Sequence, residues 1–505
     1  RVLFCEKGRS SRQIAAIKGR YPEASFDPPS APQPRYSSVL AQAGRDWREI
    51  EDKSRARHTS YIPFIGAGTG GSSALYGMAL ERLFPADFTP RSSHPTADDA
   101  DLPDAWPVTY ADLAPFYEVA EALYRVRGEA DVLRGEDFRP PYQSPPPLTQ
   151  SASKLRDYLR DQGCHPYRLP QACEFKDGCA CCQGYLCAFD CKNDSSRICL
   201  EPALRQHGAQ LLDECEVLQL ESDSTRVTGV VCRYRGETLT LRGSIVILAA
   251  GALYTPGILL ASRSENWPDG LANRSGLVGR NLMRHFVDLY VLRSGLKEGL
   301  ETRWKEIAFN DYYHGPIKLG SVQSFGALPP VAQLAASLQN DLRQGPIPLA
   351  GALFTVVKPL IQTYLKRTLS RGPIMASILE DLPYLENRVE VDPATRRLNL
   401  YYSIHAEDRD RIAQMRARLR RLFKPFRPML LPQAENNERL AHVCGTCRFG
   451  EDPAASVLNP DNRAHGVDNL YVVDASFFPS SGGINPALTI AANALRVAHC
   501  LLEKS

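Results

Sequence analysis

The spacing of apolar and polar residues changes several times along the chain, and each change predicts an element. Val2–Cys5 is an apolar run closed by Glu6 and Gly8, which reads as a buried strand. From Ala209 the period is two: Leu211–Leu220, Gly229–Tyr234 and Thr238–Leu241 predict a β-meander, and Ser244–Ala250 predicts a buried strand ending at Gly251. A helix is expected over Gly257–Ser262. Glu380–Pro393 and Leu398–His405 read as two strands around a turn. Over Asp408–Phe423 a helical period puts Ile412, Met415, Leu419, Leu422 and Phe423 on one face and a set of arginines on the other. At the end of the chain a short strand, Leu470–Val473, runs into Asp474. A Pro/Ser/Gly turn follows, and Asn485-Pro486 opens an apolar helix over Ala487–Leu502.

That last strand–turn–helix unit is chemically suggestive. Free backbone N–H groups and the positive end of a helix dipole converge there, an arrangement that receives an anionic ligand. A second small-residue segment, Ile65–Met78 (IGAGTGGSSALYGM), allows close backbone approach to a flat ligand, with Ser72 and Ser73 placed to cap a following helix. The opening strand with its terminal acid matches the second strand of a dinucleotide-binding βαβ unit, where Glu6 accepts hydrogen bonds from the adenosine ribose. The first strand and its GxGxxG turn are then expected about thirty residues before Val2, so the sequence reads as truncated at its start.

Composition changes this picture little. The 505 residues are 43% hydrophobic and 23% charged, and a net charge of +3 gives no reason to propose nucleic acid. The longest uncharged apolar run, Pro346–Val357, is too short to span a bilayer. A Pro-rich linker, Arg139–Pro147, precedes a region where six of the 14 cysteines fall between Cys173 and Cys191. Such a distribution suits a reducing compartment with one special cluster better than a disulfide framework. Within it, Cys181, Cys182, Cys187 and Cys191 have the close thiol spacing that an iron–sulfur cluster requires; zinc and no metal at all are the other two readings. The arginines of the Asp408–Phe423 helix read as a solvated face, with an acidic redox partner or peripheral contact with an anionic membrane surface as the functional alternative.

Five separated segments closely resemble the glucose–methanol–choline (GMC) family of flavin oxidoreductases, choline dehydrogenase-like enzymes acting on CH–OH groups. They are the C-terminal unit, the Ile65–Met78 segment, Gly251–Pro256 before its helix, Gly276–His285 (GLVGRNLMRH), and Ala441–Gly450, which is similar to the family's HxxGTxxxG stretch. Where this chain has Tyr76 the family usually has Asn or His. The resemblance implies an α/β fold: a Rossmann-like FAD-binding domain, its first strand and phosphate loop missing, and an α+β substrate domain on a mostly antiparallel sheet. The FAD domain would comprise 1–85, 190–285 and 440–505, with linker, Cys-rich and substrate-covering segments over 86–189 and the substrate domain over 286–439.

The resemblance also implies site residues. FAD would meet Glu6, Gly68, Gly70, Gly71, Ser72, Ser73, Val217, Ala250, Gly251, Asp474, Ala475, Asn485, Pro486 and Thr489. His442 would be the catalytic base and Asn485 its hydrogen-bonding partner at the alcohol oxygen, while His285, His405 and His465 are read as structural or surface residues. The cysteine spacing is similar to that of bacterial FAD-dependent sugar dehydrogenases whose three-iron cluster passes electrons to a cytochrome. The expected activity is oxidation of a small-molecule alcohol, by a dehydrogenase in preference to an oxygen-reducing oxidase. A flavin-free remnant with a binding role is the reading from another class. A cytoplasmic or membrane-associated bacterial location is expected.

Overall fold

The computed structural model describes residues 1–24, 34–296, 305–326, 328–344, 348–370, 372–438, 440 and 442–503. Its strands sort into two regions. Leu3–Cys5 pairs in parallel with Gln210–Leu212, and Val246–Leu248 pairs in parallel with Leu470–Val472. These are separate two-stranded sheets, and Val2, Leu3 and Phe4 on one and Ile245 and Ile247 on the other are exposed. The strand over Val246–Leu248 is thus open on one side, where its continuous apolar run predicts burial. The meander forms as expected, Cys215–Ser222 to Val227–Tyr234 to Glu237–Leu241, with a register shift between Val217 and Gln219.

The second region is a six-stranded antiparallel sheet built on Phe286–Val291, Ile374–Leu379 and Gly320–Phe325. It recruits Tyr167–Arg168 from far upstream through Ile307–Phe309. Likewise the hairpin Arg388–Val391/Leu398–Tyr401 is extended by Ile50–Asp52 and Thr59–Tyr61. The antiparallel sheets therefore draw on segments that the sequence grouped elsewhere.

Helices close both regions. The C-terminal helix Ala487–Glu503 packs on Tyr110–Leu123, whose start is fixed by a reciprocal cap between Thr109 and Asp112. The helix spans Gly251–Ala261, so the Gly251–Pro256 stretch expected to lead into it forms its first turns, with Pro256 inside it. The segment after Gly70 is a single 3₁₀ turn, Gly71–Ala74, without a side-chain cap. Ser72 Oγ instead accepts from Gly66 N–H, and Ser73 Oγ donates to the Gly70 carbonyl. In Ala406–Leu422 the expected apolar face is buried, but the arginine face is only partly solvated. Arg411 is fully buried and pairs with Asp408, and Arg416 bridges Asp288 and Glu435. Of the apolar stretch that contains Pro346–Val357, residues 345–347 lie outside the described residues, and Pro348–Leu369 is helical. Among the described residues no helix is long and apolar enough to cross a membrane.

Candidate active site

Local sequence explains why the loop over 442–450 sits where it does. Gly445 has φ +93°, and a Cβ there would lie 2.4 Å from the Asn281 carbonyl oxygen, so only glycine fits. Thr446 Oγ1 donates to the Ala252 carbonyl at 2.7 Å, satisfying a buried acceptor. Backbone N–H groups of Gly445, Cys447 and Phe449 donate to the carbonyls of Ala475, Ser476 and Phe477. The loop is thereby zipped to the turn after Asp474, which brings His442 to Asn485.

His442 is half-buried between two partners. Its Nδ1 lies 2.8 Å from His285 Nδ1, and Asn485 Nδ2 lies 3.5 Å from its Nε2. His285 Nε2 lies 3.3 Å from the Ser481 carbonyl. A carbonyl only accepts, so a neutral His285 donates from Nε2 and accepts at Nδ1. His442 must then donate from Nδ1, which leaves its Nε2 lone pair turned toward Asn485. One tautomer set satisfies every contact, and it is the set a general base requires. Burial pushes His442 well below the ordinary histidine range, with His285 and Lys305 adding repulsion, and burial pushes His285 down to about 4.

The turn beneath is held by a buried polar network. Gly482 N–H donates to Glu380 and Gly483 N–H to Tyr313 Oη. Lys318 Nζ lies 2.6 Å from both Asp87 and Glu380, and His94 Nε2 lies 3.0 Å from Glu380. His285, Lys318 and this network carry no motif in the sequence. The Gly276–His285 resemblance pointed at the right segment, but His285 reads there as structural.

The residues expected to meet a dinucleotide form one tract. A Cβ on Gly8 would strike the Ala67 carbonyl at 2.2 Å, so the turn after Glu6 lies directly on the Gly68–Gly71 segment. Gly68 and Gly70 have positive φ, and Gly71 faces open space. Glu6 accepts from Gly8 N–H, and burial raises its carboxyl. Val217 is half-buried at the bulge of the meander. Ala250 is exposed at the N-terminus of the helix that Gly251 opens. The Asp474 carboxylate is engaged by Gly251 and Ser476 N–H groups and by the Thr255 and Ser476 hydroxyls, so it pins the helix and leaves only its backbone for a ligand. Thr489 Oγ1 likewise bonds Tyr117 Oη. Ala475 and Pro486 are buried in the turn, and Asn485 Oδ1 is a buried acceptor without a partner. A glycine tract with open space, a helix start and an orphaned amide oxygen fit FAD.

The cysteines group differently from their spacing. Cys181 comes together with Cys173 and Cys179, their Sγ atoms all within 4.8 Å of one another. Cys191 packs in the same cluster, Cys187 touches it through the Cys191 N–H, and Cys182 packs separately with Tyr21 and Tyr185 while meeting Cys187. The cluster rests on Met78 and Tyr76, and Tyr76 Oη donates to the Asn193 carbonyl. Lys192 Nζ, fully buried, donates to the carbonyls of Ala74 and Tyr185 and so bolts the loop to the Ile65–Met78 segment.

A family profile described as GMC oxidoreductase matches residues 150–287 for its N-terminal part and 383–494 for its C-terminal part. The chain is 30% identical over 470 residues to a 6'''-hydroxyparomomycin C oxidase of Streptomyces lividus, covering 87% of this chain and 79% of that protein. It is 27% identical over 476 residues to a 2-methyl-1,2-propanediol dehydrogenase of Mycolicibacterium austroafricanum, covering 86% and 80%. The fold is similar to that of a pyridoxine 4-oxidase from Mesorbium loti, with TM-score 0.59, 18% identity, and 99% and 94% of the two chains covered.

Proposed function

This chain belongs to the GMC oxidoreductase family and is an FAD-dependent oxidoreductase acting on CH–OH groups; within that chemistry we propose that His442 is the base and Asn485 its partner at the alcohol oxygen. The observation that carries the assignment is the forced tautomer of His442, whose Nε2 lone pair faces Asn485. Glu6, the Gly68–Gly71 segment and the helix start at Gly251 would hold FAD, which would supply the hydride acceptor for the alcohol carbon.

The chain's own residues handle the proton and the oxygen. The substrate hydroxyl gives its proton to His442 Nε2 as the C–H bond breaks, and a carbonyl results. The Asn485 amide donates to the same oxygen and steadies its developing charge without competing for the proton. His285 holds His442 in the accepting tautomer. Burial of His285 and partial burial of His442 limit the water that would compete for the transferred proton.

The acceptor of the electrons follows from the thiol loop. We infer a dehydrogenase that exports electrons to an acceptor such as a cytochrome, because the cluster of Cys173, Cys179, Cys181 and Cys191 is bolted to the segment that meets the flavin. Those thiolates would hold an iron–sulfur cluster, which supplies one-electron transfer. Oxygen as acceptor is the second reading, supported by the oxidase name of the Streptomyces lividus relative. The intact His442–Asn485–His285 arrangement argues against a flavin-free binding protein.

The test is anaerobic bleaching of FAD-loaded protein by a panel of sugars, diols and aliphatic alcohols. Reoxidation is then followed by oxygen or by a one-electron acceptor. Faster reoxidation by oxygen than by the one-electron acceptor would favour the oxidase.

A further inference from the structure

Three thiols outside that loop come from three separate segments and meet at one point. Cys5 ends the strand Leu3–Cys5, Cys215 opens Cys215–Ser222, and Cys232 lies in Val227–Tyr234. Their Sγ atoms all lie within 4.8 Å of one another. Cys215 and Cys232 are fully buried and Cys5 is half-buried, so the group is reached from solvent on the Cys5 side.

The positions are set by sheet hydrogen bonds. Cys5 is in register with Leu212, Cys232 is in register with Val217, and Cys215 N–H donates to the Glu6 carbonyl at 2.8 Å. A cation about 2.3 Å from each of three sulfurs needs them roughly 3.8–4.0 Å apart, which lies within the observed span. Sulfur donors exclude magnesium and calcium and select zinc or copper(I). Any disulfide among the three would leave the third thiol buried and unused. All three are free thiols.

We propose that Cys5, Cys215 and Cys232 form a three-thiolate site for one thiophilic d¹⁰ cation, Zn²⁺ or Cu⁺. Among the described residues no histidine or carboxylate joins them, so a fourth position stays open to water on the Cys5 side. The site is a clamp. Cys5 directly precedes Glu6, and Cys215 lies two residues before Val217, so the cation ties the opening strand to the meander at one end of the cofactor tract. It holds whether or not His442 is the base.

The test uses reduced, FAD-loaded protein stripped by a chelator without oxygen and titrated with Co²⁺, followed by displacement with Zn²⁺ or Cu⁺. Wild type should bind one more equivalent of cobalt, with thiolate charge-transfer bands, than Cys232→Ser. Cys181→Ser, altered only in the other thiol group, should keep that equivalent. Cys5→Ala, at the half-buried position, repeats the test should Cys232→Ser fold poorly. Displacement by Zn²⁺ alone or by Cu⁺ alone identifies the ion and supports the site. Equal cobalt uptake by wild type and both clamp variants would overturn it. So would isolation of a Cys5–Cys232 disulfide whose reduction restores no metal uptake.

Discussion

His442 and His285, 157 positions apart, share a hydrogen bond of 2.8 Å between their Nδ1 atoms. Because His285 is committed on its other side to the Ser481 carbonyl, the direction of that bond is fixed, and with it the basic atom of His442. The pair does for this site what an orienting carboxylate does in a hydrolase triad, without placing a negative charge beside the base.

With His442 as the proposed base, replacing it by Ala removes the proton acceptor. Flavin reduction by substrate in anaerobic stopped flow should slow by roughly 10²–10⁴ while FAD remains bound. Asn485→Ala should slow it too. A wild-type reduction rate in His442→Ala would transfer the base role elsewhere.

His285 acts through His442, so its variants should split by tautomer control. His285→Phe should slow flavin reduction by at least about tenfold, with roughly 10⁴ as the ceiling set by loss of an orienting partner. His285→Gln can accept from His442 Nδ1–H and donate to the Ser481 carbonyl, and should recover much of the loss. Equal rates in the two variants would show that His285 only fills space.

His285 is buried neutral, which contributes to the acid stability. An unfolded histidine takes up its proton near pH 6.5, whereas burial holds His285 down to about 4. Below pH 6.5 the unfolded state therefore binds more protons, and stability falls as pH falls. The part due to His285 is fully present above pH 6.5 and is lost on the way to about pH 4, on the order of 3 kcal/mol. His285→Gln should flatten this limb of a urea-midpoint profile; an unchanged limb would point to other groups.

Lys318 neutralises two buried carboxylates, Asp87 and Glu380. Lys318→Met removes the ammonium shared by both, leaving His94 against Glu380, and should cost about 3–5 kcal/mol in urea unfolding. It should also loosen the Gly482–Gly483 turn, and with it flavin reduction. Retention of wild-type stability would mean that the carboxylates take up a proton instead.

The proposed relay in the thiol loop would separate two half-reactions. Anaerobically purified wild type should contain iron and sulfide. Cys173→Ser or Cys181→Ser should abolish transfer to a one-electron acceptor while substrate still bleaches the flavin. Cys182→Ser should leave both half-reactions in place, because Cys182 packs with Tyr21 and Tyr185 rather than with Cys173, Cys179 and Cys181. Iron-free protein that still reduces the acceptor would remove the relay.

Features set by neighbours in the chain were legible in the sequence. The C-terminal helix, the meander, the strand into Asp474 and the glycine at 445 follow from local period, turn chemistry and a backbone angle. The motif residues His442 and Asn485 stood out for the same reason, each lying in a short stretch whose composition is unusual. What the sequence misassigned depends on contacts across hundreds of residues. Cys173 joins Cys179 and Cys181 while Cys182 turns away to Tyr21 and Tyr185, because adjacent residues in a tight loop point in opposite directions. Arg411 is buried because Asp408 is buried with it. His285 is read alone as a structural histidine and gains its role only when the loop carrying His442 is zipped beside it. Period and spacing report which side of an element faces inward; which inward-facing groups meet is decided by packing, which here joins segments hundreds of positions apart.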